Sequence, residues 1–271
     1  MKTNYHMHTP WCDGADGAAA MAAAAVAKGF GEIGFSSHSM LPGAEEDWTL
    51  TPAKAPKYFA EVRDVARGLA GELSVLCGVE ADYVPGSAEP SKAAYAAYGP
   101  DYIIGSVHFA VAPDGAHVPV DLSPEALFDG IRDHFGGSPE AFVARYFEHE
   151  REMAAAFDFD LVAHPDLVRK FNSKHPWFDE SAPWYLAEIE RTANALAASG
   201  KLVEVNTGAI ARGWLDSPYP SARFRDALRD RGVRFVLSSD AHSASAIDAG
   251  FDRFGGCEDF VLPPWSRLHK A

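Results

Sequence analysis

Residues 234–242 read RFVLSSDAH, a short apolar and β-branched run that ends in a carboxylate and an imidazole two residues apart. Arg234–Asp240 has the composition of a buried strand. On an extended chain residues i and i+2 face the same side, so Asp240 and His242 can address one centre. Working outward, similar runs lie at Thr3–His8, Glu32–Ser37, Leu73–Glu80, Asp101–Val107, Phe159–His164 and Leu202–Asn206. Helical patterns alternate with them at Ala15–Lys28, Pro52–Ala70, Ser87–Tyr98, Pro139–Phe157, Ala182–Ser199, Ser221–Arg231 and Ser243–Arg253. Seven strand and helix units imply parallel strands with right-handed crossovers, closed as a barrel or open as a doubly wound sheet. The number seven favours an α/β barrel. The alanine-rich run Ala18–Ala27 reads as a helix, with Asp16 available as its cap and Gly29 just beyond its end. Phe109–Ser138, rich in Gly, Pro and Asp, reads as a long loop over one face.

In such a fold the chemistry sits at the carboxyl-terminal strand ends and in the loops that follow them. The first strand carries His6 and His8, the second leads to His38, the third ends at Glu80 and the fourth at His108. The fifth ends at His164 and the seventh at Asp240 with His242. Eleven histidines in 271 residues predict about one among roughly 21 strand-end positions, and six stand there. His6 and His8, in HMH, share a face and can reach one metal ion together, and DAH repeats that geometry. His108 and His164 follow apolar runs whose burial leaves an imidazole in need of a partner, which a metal ion or a hydrogen bond supplies. Asp13, in WCDGADG, serves either as a ligand or as a turn residue. His117, His134, His149, His175 and His269 fall in loops or on helical faces and read mostly as solvated surface.

At 271 residues, with 47% hydrophobic and 23% charged residues, the chain suits one barrel-sized domain spanning residues 1–271. A net charge of −14 disfavours a broad nucleic-acid surface and suits a small-molecule substrate. Cys12, Cys77 and Cys257 are too few and too far apart for a disulfide framework or a zinc knuckle, so a reducing cytoplasm is expected. The amino terminus lacks a signal-peptide pattern, and no apolar run reaches membrane length. Oligomeric state is open.

Taken together, HMHTPWCDG, FSSHS, GVEADY, GSVHF, AHPDL and SSDAH resemble the ligand motifs of the PHP superfamily, over nearly the full chain. GSVHF, AHPDLVRKF and EVNTGAIAR are similar to the monofunctional histidinol-phosphate phosphatases. The resemblance implies a single distorted (β/α)7 barrel and hydrolysis of L-histidinol phosphate by a metal-activated hydroxide. It implies a first divalent metal on His6, His8, Glu80 and Asp240, and a second on Glu80, His108 and His164, with Glu80 bridging. A third would take Asp13, His38 and His242; Asp13 stands where some relatives have histidine. The ligand types suit zinc, manganese or iron. Arg169, or its neighbour Lys170, and Arg212 match the family's phosphate-holding positions; the leaving group would take its proton from a metal-bound water, or from Asp240 or His242 acting through one. NTGA at residues 206–209 departs from the family's commoner NTSG. Two rivals remain: a PHP phosphoesterase acting on a nucleotide or another phosphate ester, and a non-catalytic metal-binding module.

Overall fold

The computed structural model describes residues 1–41, 48–254 and 260–270. Cys257 therefore lies outside the described residues, while Cys12 and Cys77 are free and buried. In chain order the first half holds β1 (Lys2–Asn4), α1 (Ala18–Ala27), β2 (Phe30–Phe35), α2 (Ala55–Gly68), β3 (Ser74–Cys77), β4 (Val79–Asp82), α3 (Lys92–Tyr95) and β5 (Ile103–Ser106). There follow β6 (Phe109–Val111), β7 (His117–Pro119), α4 (Pro124–His134), α5 (Pro139–Ala156), β8 (Leu161–Val162) and α6 (Pro183–Ser199). β9 (Leu202–Asn206), α7 (Gly208–Ala211), α8 (Ala222–Arg229) and β10 (Phe235–Ser238) complete the set. The result is an α/β fold with two parallel sheets, β1-β2-β3 and β10-β9-β8-β5-β4, and a small antiparallel hairpin of β6 and β7.

The expected single strand Leu73–Glu80 is corrected to two strands that belong to different sheets. β3 pairs with β2, and after Gly78 the chain turns away so that β4 pairs with β5. Gly78 sits against the Tyr102 ring; a Cβ there would lie 2.5 Å from Tyr102 Cζ. That ring is fixed by its hydroxyl, which donates to Tyr5 O at 2.6 Å, and by stacking on Trp265 at 5.6 Å. A side chain at 78 would therefore force the strands apart.

Three further expectations are corrected. Phe109–Ser138 is not an open loop but the β6–β7 hairpin followed by α4. The start signals were present: Ser123 and Ser138 each precede Pro-Glu, and each hydroxyl accepts the amide three residues on. Ser87–Tyr98 condenses to the short α3, and Ser243–Arg253 becomes two 3-10 turns at Ala244–Ala246 and Phe251–Phe254. Asp16 does not cap α1; Gly17 occupies that position, and Asp16 Oδ2 accepts the Ala244 amide.

Two apolar cores follow from the alternation of side chains along the strands. The larger packs helices such as α1, α2, α5 and α6 against the sheets. The smaller, of Tyr5, Leu76, Tyr102, Ile104, Leu161 and Val236 with their neighbours, takes no residue from any helix. Among the described residues no helix is long and apolar enough to cross a membrane.

Candidate metal centre

After β1 the chain stays extended. Ala241 N donates to His6 O and His8 N donates to Ala241 O, at 3.2 and 2.9 Å, which sets HMH beside DAH. Met7 is buried in the apolar core, so His6 and His8 turn together to the opposite side. Across from them stands Glu80. Its Oε2 lies 3.0 Å from His6 Nε2, 3.1 Å from His38 Nδ1 and 3.5 Å from His8 Nε2. Its Oε1 lies 3.1 Å from His164 Nε2 and 3.5 Å from His108 Nε2. One carboxylate thus faces five imidazoles from two sheets.

The remaining candidates complete the cage. Asp240 Oδ1 is 3.2 Å from His8 Nε2 and 3.8 Å from His6 Nε2. Asp13 Oδ2 is 3.1 Å from His242 Nε2 and 3.8 Å from His38 Nε2, and its Oδ1 is 3.4 Å from His8 Nδ1. All nine residues singled out as ligands therefore converge. Four mutually close groups arise among the described residues: His6 with His8 and Asp240, His6 with Glu80 and His164, His8 with Asp13, His38 and His242, and His38 with Asp82 and His108. His8 thus stands closer to the Asp13 group than the expected division of ligands had it.

Burial makes the arrangement chemically specific. His6 Nε2, His8 Nε2, His38 Nδ1 and Glu80 Oε2 are shielded from solvent yet have no hydrogen-bond partner. Buried polar atoms left this way are costly, and four of them aimed at one another form the donor set of a divalent cation. Burial opposes ionisation of Glu80, but His6, His38 and His108 hold its pKa well below the ordinary carboxylate range. Asp240 is likewise held low against burial by Arg212 and His6. Burial depresses His38 to about 4, whereas His108 resists burial and rises to about 10 beside Asp82 and Glu80. Two acidic residues outside the expected ligand set orient the imidazoles. Glu204 Oε1 accepts from His6 Nδ1 at 2.8 Å, and Asp82 Oδ1 accepts from His108 Nδ1 at 2.7 Å. Each bond fixes its ring with Nε2 turned toward Glu80, where a bound cation would displace the Nε2 proton.

Sequence reasoning missed both, although the signal existed. Asp82 is two residues beyond Glu80 and Glu204 two before Asn206, so alternation places each beside the site. Glu204 also accepts the His164 amide at 3.2 Å and Asn206 Nδ2 at 3.0 Å. Glu204→Gln is expected to weaken metal binding by about 10- to 100-fold while the fold is kept, as competition with a chromogenic chelator can measure; an unchanged affinity would rule out the orienting role. His149, read as solvated, is instead buried, and its Nε2 accepts the Val111 amide.

The two arginines differ. Arg212 Nη2 donates to Asp240 Oδ2 at 2.8 Å and Nη1 to Asp240 O at 3.1 Å, and about a third of the side chain, 34%, stays exposed at the rim. Gly208 leaves room for this placement: a Cβ there would stand 2.6 Å from Arg212 Nη2 and 2.9 Å from Asp240 Oδ2, and the guanidinium would have to shift. That is a physical reason for NTGA in this chain. Asp240 itself adopts φ of 50°, a left-handed conformation that aspartate tolerates better than most residues. Arg169 is buried, with Nε on Glu180 at 2.7 Å and Nη2 on Ser217 at 3.3 Å, which leaves only Nη1 without a hydrogen bond. Lys170 is engaged by Asp121 at 2.9 Å.

Fold and site together define an α/β protein with a buried cage of imidazoles and carboxylates suited to metal ions. The chain belongs to the PHP domain family, whose model matches residues 4–208. A Deinococcus radiodurans protein named "Probable histidinol-phosphatase" is 29% identical, with 91% of this chain and 88% of that one covered. A solved Listeria monocytogenes structure superposes with a TM-score of 0.84 at 21% identity, over 93% of this chain and all of its own. The histidinol phosphate phosphatase of Lactococcus lactis, complexed with zinc, L-histidinol and phosphate, superposes with a TM-score of 0.65 at 20% identity, over 90% and 87% of the two chains.

Proposed function

We propose that this protein hydrolyses L-histidinol phosphate to L-histidinol and phosphate, a step of histidine biosynthesis. The observation that carries this reading is the placement of five imidazoles on the two oxygens of Glu80, in a family member whose full-length relatives bear that activity in their names. The cage suits up to three divalent ions of zinc, manganese or iron, held by His6, His8, Glu80 and Asp240, by Glu80, His108 and His164, and by Asp13, His38 and His242. Bound cations supply Lewis-acid activation of water and neutralise charge on the phosphoryl oxygens.

The chain's own residues do the rest. Arg212 reaches from the rim to hold a phosphoryl oxygen, and Arg169 Nη1, which has no hydrogen bond and lies 3.5 Å from Asp166 Oδ2, is assigned to another. His242 Nδ1 lies 3.0 Å from Asp240 O and 3.4 Å from Arg212 Nη1, so a proton held there sits beside the phosphate-holding group. His242 is accordingly assigned to proton delivery onto the leaving alkoxide oxygen, directly or through a water, and Asp240, held ionised, to positioning it. The scaffold reads as one distorted seven-stranded barrel: residues 74–82 pass from one sheet to the other, and Met7 pairs with Ala241 across the opposite seam.

Metal analysis and phosphate release on purified protein test this reading. Histidinol phosphate is expected to be cleaved at least about 100-fold better than other monoesters or a nucleotide diester. A chelator should abolish release and added metal restore it. Preference for the diester, or release indifferent to chelation, would overturn the proposal.

A further inference from the structure

Tyr219 lies in the segment that returns after α7. Its backbone pairs with the end of β9, Asn206 N donating to Tyr219 O at 2.7 Å and Tyr219 N to Asn206 O at 2.9 Å. The ring stands edge-on to the imidazole of His164, with centroids 6.2 Å apart. The side chain is only 1% exposed, yet its hydroxyl has no hydrogen-bond partner. The charges of Arg212, Asp121, Asp166 and Arg169 all act on it. A buried hydroxyl without a partner is costly, and a fold retains one where something else completes the bond. Both arginines are among these charges, and the guanidinium of each is the kind of group that gathers phosphoryl oxygens.

We propose that Tyr219 Oη is a third phosphate-holding donor, giving its hydroxyl hydrogen to a phosphoryl oxygen gathered between Arg212 and Arg169. The hydroxyl adds direction where the arginines add charge. This assignment rests on the phosphoesterase reading above, but its test does not require turnover.

Tyr219→Phe removes one oxygen and keeps the ring. Because that oxygen bonds to nothing in the free protein, the variant is expected to keep its metal content and melting temperature. Calorimetric titration of the metal-replete protein with inorganic phosphate should show binding weakened by about 10-fold or more, the size of one charge-assisted hydrogen bond. Affinity for L-histidinol, which lacks the phosphoryl group, should not change. In the unaltered protein, phosphate should also shift the tyrosine Raman doublet that reports hydroxyl hydrogen bonding, a measurement that needs no variant. Equal phosphate affinity in the two proteins, equal weakening toward phosphate and L-histidinol, or an unmoved doublet would each overturn the assignment. If Tyr219-dependent phosphate binding is found without hydrolysis of histidinol phosphate, the phosphatase reading fails and the assignment of Tyr219 stands.

Discussion

Replacing Glu80 by glutamine is expected to lower hydrolysis of histidinol phosphate by about four orders of magnitude or more, together with loss of bound metal. The size follows from the position of the side chain. Five imidazoles from both sheets face its two oxygens, so no neighbour can stand in for the lost charge. Glutamine has nearly the same shape, and the apolar cores on either side are untouched, so far-ultraviolet dichroism should report a folded protein. The metal-free variant should nevertheless be less stable than the metal-free parent, because His6, His38 and His108 lose the carboxylate that balances them. Metal content by plasma mass spectrometry and single-turnover phosphate release decide the matter. Retention of metal with full activity would exclude Glu80 as the bridging group.

The second large effect concerns stability and pH, and it lies outside the metal cage. Glu150, on α5, is wholly buried, and its partners are poor: Tyr146 donates to Oε1 at 2.9 Å, while Oε2 has no hydrogen bond. Burial, with the nearby charge of Asp166, raises its pKa from 4.5 to about 8. Between those values the folded chain binds a proton that the unfolded chain has released, so stability falls as pH rises through that window and levels off above it. Below about pH 4.5 the carboxyl is neutral in both states and costs nothing. Glu150→Gln, neutral throughout, should be more stable than the parent by about 3 to 4 kcal/mol near pH 7.5, and the difference should shrink toward zero near pH 5. Denaturant unfolding of both proteins from pH 5 to 8.5 measures this. Parallel stability curves would show that Glu150 is ionised in the folded protein.

The site was more legible in the sequence than the fold around it, for a physical reason. A ligand needs only the right side chain at a strand end, and alternation along His6, Met7 and His8 declares its own orientation. No residue pattern announces that Leu73–Glu80 must break, because the break at Gly78 is imposed by the Tyr102 ring, which arrives from 24 residues further along the chain. The β6–β7 hairpin was hidden for a different reason. Its strands are three residues each, too short for periodicity to register, and they pair only with one another. Glu204 and Asp82 escaped because an inward carboxylate that orients a ligand looks, in sequence, like any charged residue in a strand. Arg169 could not be judged from sequence alone: its neighbourhood marks it as a phosphate group, and only the fold shows that Glu180 and Ser217 engage two of its nitrogens while Nη1 has no hydrogen bond.

The division of the strands into two sheets has a consequence for how the protein holds itself together. His6, His8 and His38 follow the carboxyl ends of strands of the three-stranded sheet, whereas Glu80 lies in the five-stranded one and His108, His164 and Asp240 follow the ends of its strands. A cation held between His6 and Glu80, or between His8 and Asp240, would then act as a rivet through a joint that Met7 with Ala241 and His38 with Glu80 already pair across. Its binding energy would add to the alignment of the two halves, so its removal is expected to loosen that joint before the rest of the fold.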